Sequence, residues 1–227
     1  MTPRRAVERR ERRGGARRRP ASRRPRGGNG TAHQVHGEFY KHPLALVESK
    51  TIGPGTRVWA WAHVMKGARV GADCNIGEHC FVENGVVLGD RVTVKNGVAV
   101  WDGVVAEDDV FLGPNAVLTN DVMPRSKVYR GAVRSTLLKR GASVGANATL
   151  LCGITIGTYA MIGAGAVVTR DVPDHALVVG NPGRVIGHVC RCGARLKGHG
   201  ASARCAECRG RYRIAGDAAM PVGGLPV

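Results

Sequence analysis

The chain has 227 residues, of which 33 are glycine and 4% are aromatic, and its formal net charge is +17. So few aromatic side chains argue against a core of large rings, and the length allows one or two domains. No run of about 18 apolar residues is present, which argues against a transmembrane helix. The N terminus has no apolar h-region, so we expect no secretory signal, no membrane partner and a cytoplasmic location.

Residues 1–27 hold twelve arginines and two glutamates and therefore contribute +10 of the charge. This stretch has little apolar content, so we expect residues 1–36 to form a disordered tail. Three interpretations stay open: the tail binds nucleic acid through phosphate charge, it is a solvated tail without a specific role, or it reflects a start site placed too far upstream. We favour the last, because the ordered pattern begins only near Tyr40, and we do not expect a nucleic-acid partner.

An aliphatic residue recurs at every sixth position, a period that fits neither a helix nor an ordinary strand. Thirteen consecutive hexads match, the phase breaks after Met123, and six more follow two residues out of step. The first positions are Leu46, Ile52, Val58, Val64, Val70, Ile76, Val82, Leu88, Val94, Val100, Ala106, Leu112 and Leu118, then Leu138, Val144, Leu150, Ile156, Ile162 and Val168. The fifth positions, from Thr56 to Val122, carry small or β-branched residues that suit a crowded corner.

A fixed period this short is typical of a solenoid. Each hexad supplies a short strand and a corner, and three hexads close one triangular coil, such as 76–93. Neighbouring coils then pair as parallel strands about 4.8 Å apart. The sequence therefore predicts an all-β chain, with a parallel β-helix domain over 37–187 and one excursion loop over 124–137.

Residues three hexads apart in such a fold lie above one another, so the period predicts which side chains share a surface. Polar and aromatic groups fill two neighbouring outward columns beside the excursion, and a histidine lies in a third. The columns are Lys66, Asn84, Asp102 and Asn120; Met65, Glu83, Trp101 and Thr119; and Trp61, His79, Gly97 and Asn115. Convergent polar groups beside aromatics suit a small polar ligand. The alternative is an asparagine ladder that only stabilises the coils.

A further column holds Ala146 and Ala164, within "VGANAT" and "IGAGAV". Small side chains leave the backbone N–H and C=O groups approachable. Four basic residues lie in the same half of the chain and are candidates for binding phosphates, although each alone is also explained as a solvated charge. They are Lys139, Arg140, Arg170 and Arg184.

Several motifs between Tyr40 and Val189 resemble one enzyme family. They are "IGPGTRVWAWAHV", "CNIGEHCFVEN", "VAVWDGVVAEDDVFLGPNAVLTND", "PRSK", "GANATLLCGITIG" and "IGAGAVVTRDVPDHALVVGNPGRVIG". Together they are similar to the nucleotide-sugar N-acetyltransferases of the left-handed β-helix, or hexapeptide-repeat, fold. The resemblance is strongest to enzymes that acetylate the 3-amino group of a UDP-linked 2-acetamido-3-amino-glucuronic acid in the synthesis of surface polysaccharides such as the O-antigen. Relatives acting on dTDP-3-amino sugars share much of the pattern.

The resemblance implies a left-handed coil, a homotrimer, and active sites in the grooves between subunits. Acetyl-CoA would contact backbone at Ala146 and Ala164 and approach Arg170 and Arg184 with its adenosine end. The nucleotide sugar would lie across a wall formed by Asn84, Asp102 and Asn120. Trp101 would lie nearby, and Glu83 of the shared motif is a further candidate for binding the substrate.

The implied chemistry is amide formation, in which a neutral sugar amine attacks the thioester. In the family the "FxEN" asparagine, here Asn84, positions the amine, and proton removal falls to solvent or the departing sulfur. Many hexapeptide transferases use a histidine base instead, so His79 is the rival candidate and His63 comes second. A glucuronate carboxylate would need a cation, for which the candidates are Arg91, Lys95 and Arg125.

Four of the seven cysteines cluster near the C terminus as Cys190-x-Cys192 and, after twelve intervening positions, Cys205-x-x-Cys208. Two cysteine pairs, each followed by a glycine, predict a small zinc ribbon over 188–213, with zinc in a structural role. Disulfides and free thiols are the alternatives, and His188 and His199 are weaker ligand candidates. Cys74 and Cys80 occupy fifth positions and should be buried and inert. Residues 214–227 should be disordered.

Other functions remain possible on the sequence alone. The Arg-rich tail and zinc ribbon fit a nucleic-acid-binding or scaffold protein. A metallo-hydratase of the same fold needs three converging histidines, whereas the coils offer only His63 and His79. A sugar O-acetyltransferase also fits, because the motifs on the CoA side do not distinguish an amine acceptor from a hydroxyl.

Overall fold

The computed structural model describes residues 35–36, 39–128, 134–197 and 201–223. Within these ranges all regular structure is β-strand, which confirms the predicted all-β class. No helix in the described part of the chain is long and apolar enough to cross a membrane. Apart from Val35–His36, the predicted tail over 1–36 lies outside the described residues.

The chain winds into a three-sided solenoid whose strands are mostly two residues long, and we number the strands in chain order. Face 1 comprises β3 (Leu46–Val47), β6 (His63–Val64), β9 (Phe81–Val82), β12 (Ala99–Val100), β15 (Val117–Leu118), β18 (Thr149–Leu150) and β21 (Val167–Val168). Face 2 comprises β4 (Thr51–Ile52), β7 (Arg69–Val70), β10 (Val87–Leu88), β13 (Val104–Ala106), β16 (Thr136–Leu138) and β19 (Thr155–Ile156).

Face 3 is the longest sheet and has ten strands. Its parallel part comprises β2 (Phe39–Lys41), β5 (Arg57–Val58), β8 (Asn75–Ile76), β11 (Thr93–Val94), β14 (Phe111–Leu112), β17 (Ser143–Val144), β20 (Met161–Ile162) and β22 (Ala176–Val179). Antiparallel strands flank it at both ends, β1 (Val35–His36) beside β2 and β23 (Arg184–His188) beside β22.

Strand pairing confirms the predicted coil. Asn75 pairs with Thr93, three hexads further along the chain. Phe111 pairs with Ser143, a longer step, because the excursion is inserted between these two strands without disturbing the stack. Each coil therefore rests on the previous one, as expected of a solenoid.

The second residue of most strands points into the solenoid and stacks on its counterpart in the next coil. On face 3, Val58, Ile76, Val94 and Leu112 are completely buried. Burying a side chain of this size stabilises the fold by about 1.5–3 kcal/mol, so the aliphatic ladder is the main source of stability. The Cys74 and Cys80 thiols are buried as predicted, and burial raises their pKa.

Three corners connect the faces. Corner 1–2 consists of residues 65–68, 83–86, 101–103, 119–128 and 134–135; corner 2–3 of 71–74, 89–92, 107–110, 139–142, 157–160 and 173–175; corner 3–1 of 59–62, 77–80, 95–98, 113–116, 145–148 and 163–166. Corner 3–1 needs a residue in the left-handed backbone conformation. Gly97 adopts this conformation without strain, and Trp61 (φ 56°) and His79 (φ 57°) adopt it as well. Their rings stack at 4.9 Å.

The first coil departs from the predicted phase. Leu46 pairs with His63 and is 54% exposed, whereas Val47 pairs with Val64 and takes the inward position. The prediction that Leu46 points inward is therefore wrong. The step from Val47 to the next inward residue, Ile52, has one residue fewer than a hexad. The Ser49 hydroxyl lies in this shortened corner and donates a hydrogen bond to the Ala68 carbonyl oxygen (2.7 Å).

The excursion begins earlier and ends earlier than predicted. Val122 and Met123 are 53% and 57% exposed, so neither belongs to the stack. The Asp121 carboxylate accepts the Met123 N–H (2.8 Å), and this local turn diverts the chain from the coil. At the other end, strand β16 already starts at Thr136, whose buried hydroxyl accepts the Gly153 N–H. The predicted bounds of 124–137 are therefore wrong by a few residues.

The C-terminal module is a three-stranded antiparallel sheet of β24 (Ser202–Arg204), β25 (Arg211–Ala215) and β26 (Ala218–Pro221). The prediction of disorder over 214–227 is wrong for its described part. Gly216 (φ 57°) and Asp217 form a two-residue hairpin turn that returns the chain, and Ala219 is completely buried.

Candidate active site

Corner 1–2 brings the predicted acceptor residues together as a column. Asn84 is exposed, and its Oδ1 accepts the Gly67 N–H of the preceding coil (2.8 Å). In the next coil, the Asp102 N–H donates to Glu83 Oε2, and Asp102 Oδ1 accepts the Gly103 N–H, each at 2.8 Å. Asn84 thus bridges two coils, but within the described residues no hydrogen bond joins it to Asp102, so the column is not a continuous ladder. Both residues lie at the corner from which the excursion leaves.

Aromatic rings lie beside this column on face 1. Phe81 contacts Trp101 with 5.5 Å between ring centroids, and Trp101 also packs against the solenoid core. The His63 ring meets Phe81 edge-on, and His63 Nε2 lies 2.9 Å from Glu48 Oε2. Neither Phe81 nor Glu48 was among the residues predicted from the sequence. Phe81 carries a usable signal, since it is an outward aromatic within the "FVEN" motif, whereas Glu48 falls where the first coil leaves the hexad phase.

His79 lies away from Asn84. The two residues flank β9 at opposite ends, one in corner 3–1 and the other in corner 1–2. At about 3.3 Å per strand residue, they are roughly 15 Å apart in one chain. Within a single chain, His79 therefore does not reach an amine held at Asn84.

Ala146 and Ala164 occupy equivalent positions of corner 3–1 in successive coils, where Ala146 is half-buried and Ala164 is exposed. Neither N–H has a hydrogen-bond acceptor among the described residues, whereas the Ala146 carbonyl accepts the Gly165 N–H (2.9 Å). A Cβ on Gly113 would approach Ala146 N to 2.7 Å, so side chains larger than hydrogen are excluded just below this surface. Corner 3–1 thus offers two free amide donors to an extended ligand.

Arg170 and Arg184, predicted separately, line one cavity of about 400 Å³ at the end of the solenoid. Thr169, Asp171 and Asp217 share its wall. Two guanidinium groups in one cavity fit a phosphate-bearing ligand.

The other basic candidates lie elsewhere. Arg91 forms a bidentate ion pair with Asp109 (2.7 and 3.0 Å), and this pair lowers the pKa of the Asp109 carboxyl. Arg140 pairs with Asp108 (3.2 Å). Both pairs lie at corner 2–3, away from Asn84, so Arg91 does not fit the proposed role of binding a sugar carboxylate there. Lys95 lies at corner 3–1, and Arg125 lies in the excursion at corner 1–2.

The four C-terminal cysteines converge as predicted. The Sγ atoms of Cys190, Cys192, Cys205 and Cys208 all lie within 4.8 Å of one another. Each pair sits on a tight turn, in which the Gly193 N–H donates to Cys190 O (2.8 Å) and the Arg209 N–H donates to Cys205 O (3.1 Å). This donor set could hold a metal ion.

Comparison with known proteins shows to which family this chain belongs. Residues 49–84 and 135–170 match the model for bacterial transferase hexapeptide (six repeats). The chain is 54% identical over 176 residues to a dTDP-3-amino-3,6-dideoxy-α-D-galactopyranose 3-N-acetyltransferase of Aneurinibacillus thermoaerophilus, a match that covers 78% of this chain and 91% of that enzyme. The chain belongs to the hexapeptide-repeat acetyltransferases.

Two further similarities are more distant. A serine acetyltransferase of Bacillus pumilus is 31% identical over 155 residues, which cover 68% of this chain and 61% of that enzyme. Among solved structures, a point mutant of perosamine N-acetyltransferase from Caulobacter crescentus, in complex with CoA and GDP-perosamine, is 25% identical with a TM-score of 0.38. That match covers 66% of this chain and 56% of the other.

Proposed function

We propose that this protein transfers the acetyl group of acetyl-CoA to the 3-amino group of a dTDP-linked 3-amino-dideoxy sugar. The observation that carries the proposal is the 54% identity to the Aneurinibacillus enzyme over nearly its whole length. The sequence motifs favoured a UDP-linked 3-amino-glucuronate, with the dTDP sugar as the alternative. The relative supports amine acetylation on a nucleotide sugar and favours that alternative.

Asn84 is the residue we assign to amine positioning. The bond from the Gly67 N–H fixes the amide and leaves Oδ1 a second lone pair. This lone pair accepts an N–H of the neutral amine and holds the nitrogen lone pair towards the thioester carbon. The C–N bond forms, the C–S bond breaks, and the proton released from nitrogen goes to the departing thiolate or to water. We place the nucleotide sugar across the wall of Asn84, Asp102 and Asn120, with Trp101 and Glu83 beside it.

The donor site follows from the two free amides of corner 3–1. We assign Ala146 and Ala164 to hydrogen bonds with the carbonyl oxygens of the pantetheine arm, and Arg170 and Arg184 to the phosphates at the end of the solenoid. Amide donors that need no rearrangement bind such a ligand at little entropic cost.

A homotrimer is the assembly that we propose for this site. Corner 3–1, to which we assign the donor site, and corner 1–2, to which we assign the acceptor site, lie at opposite edges of face 1. A groove between two subunits would place corner 3–1 of one subunit beside corner 1–2 of the other. Face 1 and its edge at corner 3–1 also expose apolar side chains that such packing would cover, among them Val117 (48% exposed) and Trp61 (55%). Light scattering on the full chain should give three times the 24.0 kDa of one chain.

We further propose that one structural zinc ion binds Cys190, Cys192, Cys205 and Cys208. Tetrahedral zinc with bonds of about 2.3 Å places its sulfurs about 3.8 Å apart. These Sγ atoms lie within 4.8 Å of one another, which supports a shared ion, whereas a disulfide requires an S–S distance of about 2.05 Å. Elemental analysis of the purified full chain should find one zinc per chain, whereas metal-free protein with four reactive thiols would refute this assignment.

Thiol release from acetyl-CoA tests the main function. The full chain is assayed against dTDP- and UDP-linked 3-amino sugars and their 3-hydroxy counterparts, and products are identified by mass spectrometry. Turnover with the dTDP amine supports the proposal. Turnover only with a UDP amine would refute the nucleotide, turnover only with hydroxyl sugars would refute N-acetylation, and no release with any acceptor would refute the reaction.

A further inference from the structure

The C-terminal module is docked on the last coil of the solenoid by specific contacts. The Ala219 N–H of β26 donates to the Asp174 carbonyl (3.2 Å). Tyr212 of β25 packs edge-on against the His175 ring, with 5.1 Å between centroids. His175 is itself buried, and its Nδ1 lies 3.0 Å from the Val189 carbonyl oxygen. The module therefore has a defined position relative to the end of the coil.

The cysteine cluster is connected to this docking through one side chain. The Tyr212 hydroxyl lies 3.1 Å from Cys190 Sγ, and it accepts the Arg191 N–H at 3.1 Å. The core of the module otherwise consists of a few small groups, including Leu196, Ala203 and Ala219. A core this small does not usually fold alone without a metal or disulfide, so we expect the order of β25 and β26 to depend on the cluster in addition to the docking contacts.

The turn between β25 and β26 supplies one wall of the cavity at the end of the solenoid. Asp217 lies in that turn and faces the cavity with Arg170 and Arg184. Of the two cavity carboxylates, Asp171 is engaged, because its Oδ1 accepts the Thr155 N–H (2.8 Å). No ion pair within the described ranges involves Asp217, Arg170 or Arg184. The cavity thus combines two guanidinium groups and two carboxylates that form no ion pair with one another, and the Asp217 carboxylate makes no hydrogen bond within the described residues.

We propose that Asp217 recognises the adenine base of the acyl donor, so that the C-terminal module forms part of the donor site. This inference rests on the proposed use of acetyl-CoA. A carboxylate repels phosphate but accepts hydrogen bonds, and the exocyclic amine of adenine is a donor. Asp217 accepts that N–H while Arg170 and Arg184 face the phosphates. The module therefore both covers the end of the solenoid and contributes a residue that recognises the ligand.

A binding cycle between protein and ligand variants tests the contact. Calorimetry measures the Kd of the full chain, and of Asp217→Ala, for CoA and for 1,N6-etheno-CoA, whose base lacks the exocyclic N–H donors. We expect each change alone to weaken binding about tenfold, and both together to weaken it no further. Glu207→Ala, which removes another exposed carboxylate of the same module, should bind both ligands as the wild type does. If the two changes together weakened binding by the product of their single effects, the assignment would be overturned. Unchanged binding of CoA by Asp217→Ala would overturn it as well.

A second arm tests the dependence on the cluster. The double variant Cys205→Ser/Cys208→Ser is compared with Cys152→Ser, which removes a buried thiol outside the cluster. We expect the double variant to lose zinc and to bind CoA and etheno-CoA equally, whereas Cys152→Ser keeps the preference for CoA. A double variant that retains the preference would refute the role of the module. Binding is measured without an acceptor, so a failure of the proposed acetyl transfer would be seen separately in the thiol-release assay.

Discussion

Replacing Asn84 by alanine should separate its structural bond from its proposed role with the amine. The lost bond is the 2.8 Å contact from the Gly67 N–H to Oδ1, made on an exposed corner. A neutral hydrogen bond of this kind contributes about 0.5–1.5 kcal/mol, and exposure favours the lower end. We therefore expect Asn84→Ala to lower the free energy of unfolding by about 0.5–1 kcal/mol and to leave the proposed trimer intact.

The effect on activity should be larger than the effect on stability. Without the amide oxygen, the amine is no longer held towards the thioester, and we expect kcat/KM to fall about 30- to 100-fold, or about 2–2.7 kcal/mol. Urea unfolding gives the first quantity, and thiol release with a dTDP-3-amino sugar gives the second.

The solenoid offers a matched control at corner 2–3. Asp90 Oδ1 accepts the Ala72 N–H of the preceding coil, also at 2.8 Å. Asp90→Ala should cost at least as much stability, because its acceptor is ionised, yet leave kcat/KM within about twofold. If Asn84→Ala also kept kcat/KM within about twofold, Asn84 would be a coil-bridging residue only and the positioning role would be refuted.

Three further results are expected. His79→Gln should keep kcat/KM within about threefold in the thiol-release assay, whereas loss of a general base would lower it 10²- to 10⁴-fold and refute the base-free mechanism. Leu112→Ala should lower the free energy of unfolding by about 2–5 kcal/mol in urea, because it removes a completely buried rung of the ladder; a loss below about 1 kcal/mol would contradict the stacking argument. Burial lowers the pKa of His175, so the unfolded chain binds more protons there, and stability should fall as the pH drops below about 6.5. His175→Phe should flatten that fall in Tm, and an unchanged slope would show that His175 does not contribute.

The repeat made most of the fold predictable because one inward side chain per hexad determines the coil. Ile76 and Leu112 are buried in the register that the six-residue period requires. The prediction failed at Leu46 because the following hexad lacks one residue. A hydrogen bond from a serine hydroxyl stabilises that shortened corner, and the six-residue pattern does not indicate it. The prediction also failed at Val122, because an Asx turn one residue earlier takes the chain out of the coil.

The site was predictable only where it follows the columns. Asn84 and Asp102 share a corner because they lie three hexads apart. The neighbours of the site that cross the period were missed: Glu48 contacts His63 from the irregular first coil, and Asp217 of the C-terminal module lines the same cavity as Arg170. Such contacts depend on tertiary packing between segments with no common spacing, so no period in the sequence encodes them.

The insertion between β15 and β16 has a consequence for how such enzymes diversify. Its two ends leave and rejoin the stack at the same corner, between consecutive strands, and the strands on both sides keep their register. Doubling the length of a flexible loop costs only about 0.6 kcal/mol in closure entropy. The segment beside Asn84 can therefore change length and sequence while every rung of the aliphatic ladder stays in place. Acceptor preference and folding stability are then free to evolve on separate parts of one chain.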